Sequence, residues 1–80
     1  MNKREKKYAE KVALLVKEYR NTESFSEQFT ICLKGNELKA KCARDVWNGK
    51  VSEDFYRERF KIKEANIDHH FLRILSEELD

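Results

Sequence analysis

Phe29-Thr30-Ile31-Cys32-Leu33-Lys34-Gly35-Asn36-Glu37-Leu38-Lys39-Ala40-Lys41-Cys42-Ala43-Arg44 can be read in two ways, and the choice settles the class of the whole chain. Phe29 to Lys34 is rich in strand formers, and Gly35-Asn36 can make a two-residue hairpin turn. A hairpin with strands at 28–34 and 37–43 sets Leu33 opposite Leu38, Ile31 opposite Ala40 and Phe29 opposite Cys42, all on one side. The helical reading has more support. Phe25, Phe29, Cys32 and Leu33 recur at i, i+4, i+7 and i+8, and Ser24 with Glu27 fits a capping box. Gly35 then ends one helix as its left-handed residue and Asn36 caps the next. Glu37 to Arg44 consists of strong helix formers, with Leu38, Cys42 and Val46 on the inner face and Ala43 and Trp47 beside them. We therefore expect two short helices here, and the hairpin, which makes the chain α+β, stays the alternative.

The flanks agree with helices. Upstream, Tyr8, Val12, Leu15, Val16 and Tyr19 form one helical stripe within residues 3–20, with Leu14 off it. Asn21-Thr22-Glu23-Ser24 is stop-and-start chemistry. Downstream, Asn48-Gly49 ends the central segment and Ser52 caps a further helix, with Glu53 and Asp54 at its positive end. Val51 and Tyr56 sit where a hydrophobic staple places them, and Phe55, Tyr56 and Phe60 form an aromatic set. Asn66 or Asp68 starts a last helix with the stripe Ile67, Phe71, Ile74, Leu75 and Leu79. No proline and only two glycines interrupt the chain, which favours helices joined by short turns. The expected fold is all-α, one small domain over residues 1–80, a bundle of four or five short helices. Its expected core is Val12, Leu15, Val16, Phe29, Leu33, Leu38, Val46, Phe60, Phe71, Ile74 and Leu75.

Eighty residues leave room for one small core, burying roughly 60% of the surface the unfolded chain exposes. Charged and hydrophobic residues each make up 40%, enough apolar content to drive collapse. No apolar run approaches a membrane span, and the basic start is not followed by the apolar stretch and cleavage site of a signal peptide. A cytoplasmic protein with reduced thiols at Cys32 and Cys42 is expected. Net charge is +2, but it is polarised: residues 1–20 carry +4, residues 21–50 +1 and residues 51–80 −3.

Catalytic constellations are missing from the sequence. His69-His70 are adjacent, about 100° apart on a helix, and cannot chelate one metal together. Cys32 and Cys42 are ten residues apart, unlike a zinc knuckle, and fall on apolar faces where a thiol is poorly ionised. There is no Gly-rich phosphate loop. No enzyme, metal or cofactor is expected.

Two binding readings follow. In the first, the chain is a small non-catalytic regulatory protein that docks on a protein partner. Nine aromatics are many for so small a core, and Leu14, Tyr19, Trp47, Phe55 and Tyr56 are the candidate contacts. The same surface would serve a homodimer. Size and proline-free, charge-rich composition also suit an accessory factor of a phage or mobile element. In the second, residues 24–34, the Gly35-Asn36 turn and residues 37–48 form a helix-turn-helix regulator of DNA. Lys39, Lys41 and Arg44 would then face phosphates or base edges, and Lys34, Lys50 and the basic first helix would add phosphate contacts. Bulky Thr30 or Ile31 at the usual small position, and Glu37 and Asp45 among the bases, speak against it.

Overall fold

The computed structural model describes residues 1–60. They form α1 (Lys3–Asn21), α2 (Phe25–Trp47) and α3 (Glu53–Arg59), with no strand among the described residues. The all-α class therefore holds and the 28–34/37–43 hairpin is overturned. Three helices are present among the described residues, where four of the four or five expected for the chain fall. The helix expected after Asn66 or Asp68, with Phe71, Ile74 and Leu75, lies outside the described residues.

The reduced count has one cause. Residues 25–47 form a single unbroken helix, so the expected break at Gly35-Asn36 is absent. Gly35 is buried, and Gly49 is the only described glycine with positive φ. A mid-helix glycine costs about 1 kcal/mol relative to alanine. Here it sits among strong helix formers and on the buried side. Ile31, Gly35, Cys42 and Asp45 are all buried and recur at helical spacing straight through the supposed turn.

The true stop comes where the chain reaches Asn48-Gly49. Gly49 has φ +74° and donates its N–H to Val46 O (3.0 Å), while Lys50 N–H bonds Asp45 O (2.8 Å). These two bonds make a Schellman motif, which satisfies carbonyls that the last turn leaves free. An ideal Cβ at Gly49 would meet nothing within 4 Å, so backbone conformation alone calls for glycine here.

Caps set the other ends. Asn2 and Glu5 form a reciprocal capping box on α1: Glu5 N–H donates to Asn2 Oδ1 (2.8 Å) and Asn2 N–H to Glu5 Oε1 (2.9 Å). Ser24 caps α2 by accepting from Glu27 N–H (3.4 Å). The expected reciprocal bond is missing, because the Glu27 carboxylate takes the Thr22 hydroxyl instead. Ser52 caps α3 by accepting from Phe55 N–H (3.1 Å).

α1 and α2 run antiparallel across the short link at 22–24, since Arg4 and Tyr8 of α1 both reach Asp45 near the end of α2. The buried apolar core is Tyr8, Val12, Val16, Ile31, Cys42, Val51 and Phe60. Leu15, Tyr19, Leu38, Val46, Phe55 and Tyr56 pack against it. Two expected core residues are misplaced: Phe29 is 58% exposed and Leu33 48%. With the helix unbroken, Cys42 and Leu38 fix the phase of its first half, which turns Ile31 inward and Phe29 outward.

Candidate functional site

α2 carries apolar side chains on two faces. One is the stripe buried against α1. The other is made of Phe25, Phe29, Leu33 and Trp47, of which Phe25 is 83% and Trp47 90% exposed. Phe25, Phe29 and Leu33 are four residues apart, and Trp47 follows Phe25 by 22 residues, close to six turns at about 3.6 residues each. All four therefore share one side of the helix along about 33 Å of axis. Exposed Ala40 continues the stripe, and Asn36 lies between its halves. Asn36 Oδ1 is buried without a hydrogen-bond partner, a condition that costs about 1–3 kcal/mol. Exposed Lys34, Glu37, Lys41 and Arg44 follow one flank of the stripe and leave it net positive.

The expected protein contacts divide. Trp47 and Leu14 (57%) are exposed, but Tyr19, Phe55 and Tyr56 are half-buried against the core. Tyr56 stacks at a tilt on Phe60, ring centroids 5.6 Å apart. Burial pushes its hydroxyl pKa up. The Arg59 guanidinium sits 5.6 Å from the Phe55 ring centroid. Leu14 lies on α1, in a separate open groove of about 610 Å³ shared with Ile31, Thr30 and Lys34. The structure thus keeps Trp47 exposed and sets on the same side of α2 Phe25, together with Phe29 and Leu33, which the sequence reading put in the core. The signal that finds them is the 22-residue spacing, legible only if Gly35 is read as helical.

The DNA-facing set also divides. Lys39 is buried, at 5% exposure, so it is not on the outer side of α2; Lys41 and Arg44 are exposed. A continuous α2 removes the turn that a helix-turn-helix requires, and with it the placement of a second, recognition helix at 37–48. Lys41 instead joins Lys3, Arg4, Lys7, Tyr8 and Lys11 around a cleft of about 370 Å³ between α1 and α2.

Beneath that cleft is a polar clamp. The Tyr8 hydroxyl donates to Asp45 Oδ2 (2.6 Å), and Arg4 Nη1 lies 3.3 Å from the same oxygen. The Tyr8 bond, and then Arg4, hold the Asp45 carboxyl below its ordinary pKa. Burial, then the bond to Asp45, push the Tyr8 hydroxyl up. Glu5 makes a second clamp: besides its cap on Asn2, it accepts from Ser52 N–H (3.0 Å) and ties the start of α1 to the start of α3. The N–H groups of Asn2 and Ser52 hold its carboxyl below the usual range.

Both cysteines are free thiols. Burial pushes Cys42 up to about 12 and also raises half-buried Cys32, which disfavours thiolate chemistry at either. Among the described residues no group of three His, Cys, Asp or Glu could hold a metal ion; His69 and His70 lie outside them. No described helix is long and apolar enough to cross a membrane. No protein-family model, curated protein or solved structure matches the chain.

Proposed function

We propose that the chain is a small, non-catalytic regulatory protein that docks on a protein partner through the outer face of α2. The observation that carries this reading is the line of four large apolar side chains, Phe25, Phe29, Leu33 and Trp47, left in solvent on one side of one helix. Scattered exposed hydrophobics need no explanation, but Phe25, Phe29 and Leu33 stacked on successive turns, with Ala40 and Trp47 farther along the same side, do. Aromatic anchors of this kind dominate binding energy at interfaces.

The stripe is straight and one helix wide, which suits an amphipathic helix laid along it. The flank bearing Lys34, Lys41 and Arg44 favours a partner helix with an acidic rim. Leu14 is not part of this face, and Tyr19, Phe55 and Tyr56 serve the core beneath it.

The test is a photo-crosslinking amino acid placed at Phe29 or Trp47, with the same group at Glu10 of α1 as control, in cells that make the protein. A discrete adduct from positions 29 and 47 and none from position 10 is expected. Phe25→Ser with Leu33→Ser should reduce the adduct at least tenfold. An adduct of twice the chain mass would identify the partner as a second copy. No adduct, or equal adducts from all three positions, would defeat the reading.

A further inference from the structure

The cleft between α1 and α2 borders the docking face only at Lys41 and has a different chemistry. Lys3, Lys7 and Lys11 stand four residues apart on α1, and Lys41 approaches from α2. Arg4 lines the same cleft. Asp45, beneath the cleft, is turned inward: it takes the Tyr8 hydroxyl at 2.6 Å and its charge is met by Arg4 at 3.3 Å. Exposed Glu10 and Glu37 stand on the same two helices, and neither forms an ion pair with these lysines. The Asp45 side chain is 12% exposed. Lys3, Lys7, Lys11 and Lys41 make no ion pair among the described residues. In a chain where acids are nearly as numerous as bases, four ammonium groups around one depression, none of them ion-paired among the described residues, are a concentrated positive field.

The row has a length as well as a sign. Steps of four residues along a helix are about 6 Å, so Lys3 to Lys11 spans about 12 Å. One small anion cannot use charges so far apart. Successive phosphates of a nucleic-acid strand, about 3.4 Å apart along a duplex axis, present three or so charges over that length. A concave cleft also suits a rod-like strand better than a flat lipid surface. The cleft offers Lys point charges and no outward aromatic for base stacking; its one aromatic, Tyr8, is buried in the core.

We infer that the cleft bounded by Lys3, Lys7, Lys11 and Lys41 is a binding site for the phosphate backbone of a nucleic acid, recognised without base readout. Lysines of α1 track one strand and Lys41 holds it from the side of α2. The α1 lysines lie away from the outer stripe of α2, while Lys41 borders both the cleft and that stripe.

The experiment is fluorescence anisotropy of the full chain with a labelled mixed-sequence duplex of about 20 bp and a single strand of the same length, across a salt series. Binding at low salt is expected, with log K falling against log salt at a slope near −3 for the duplex, as for three to four phosphates neutralised. The comparison of duplex and single strand tells which form the cleft prefers; tight binding of either supports the site. Lys7→Glu with Lys41→Glu should weaken binding at least tenfold and flatten the slope. Lys17→Glu with Lys34→Glu, which makes the same charge change in the other groove, should weaken it less than threefold. All four lysines are exposed, so these variants should fold, and circular dichroism checks that they do. Equal losses in the two double variants would reduce the effect to net charge and overturn the site. So would absence of binding at low salt, or equal affinity for polyglutamate or for vesicles of anionic lipid.

Discussion

Phe60→Ala should cost about 3–5 kcal/mol of stability, whereas Phe29→Ala should leave it within about 0.5 kcal/mol of the parent. The two residues are chemically identical, and helical periodicity alone assigns both to the core. Phe60 has 0% of its surface exposed, among Tyr56, Val51 and Cys42. Truncating a phenylalanine in such a place removes its transfer energy and leaves a cavity, together about 3–5 kcal/mol. Marginal stability of about 0.05–0.15 kcal/mol per residue gives an 80-residue chain about 4–12 kcal/mol in total. The loss is therefore at least about a quarter of the whole, and all of it at the low end of that range. Phe29, 58% exposed, has little to lose. Urea denaturation followed by circular dichroism measures both. A Phe29→Ala variant that loses 2 kcal/mol or more would mean that the outer face of α2 is covered in the free chain, and would remove the basis for docking there.

Stability should also fall steeply at high pH. Burial, with Asp45 and Glu5 nearby, raises the Cys42 thiol from an ordinary 9.0 to about 12. The folded state then holds a proton that the unfolded state releases. A raised pKa gives stability that is complete below the unfolded value and lost as pH climbs toward the folded one. Between about pH 9 and 12 the slope from this thiol is about −1.4 kcal/mol per pH unit, up to about 4 kcal/mol in all. Tyr8, whose hydroxyl is raised in the same direction, steepens the fall above its own ordinary 10.0. The acid limb has the opposite sign. Asp45 and Glu5 are lowered by hydrogen bonds from Tyr8 and from the N–H groups of Asn2 and Ser52, so their stabilisation is present above the ordinary carboxylate range and lost as pH falls below it. Denaturation midpoints collected across the pH range read both limbs. Cys42→Ala should flatten the alkaline limb while keeping the acid one, whatever its baseline stability. An unchanged alkaline slope in that variant would show that Cys42 ionises freely in the folded chain.

Much of the fold is legible where local chemistry and periodicity agree. Tyr8, Val12 and Val16 give α1 its inner stripe, Ser24 and Ser52 give two caps, and Asn48-Gly49 gives the stop of α2, all at the places where the structure has them. The sequence misleads at Gly35, where a strong local signal for a helix end meets a longer-range periodicity that runs on through it. Tertiary burial decides in favour of the longer pattern, because Ile31 and Cys42 lie on one side only if the helix is continuous. From that single difference follow the helix count, the loss of the helix-turn-helix, and the outward turn of Phe29 and Leu33. Lys39 misleads for a related reason: a lysine is read as exposed by default, yet the phase of the unbroken helix buries it. The clamps at Asp45 and Glu5 were not legible at all, since Tyr8 and Asp45, 37 positions apart, meet only through the antiparallel pairing of α1 and α2.

The most direct test of the account is the set of 13Cα secondary chemical shifts through residues 25–47 of the full chain in solution. A docking face built from Phe25, Phe29, Leu33 and Trp47 exists only if one helix carries all four in phase. Helical shifts without interruption, Gly35 and Asn36 included, are the predicted result. A return to coil values at those two residues, or strand-like shifts on either side of them, would contradict it and dissolve the face.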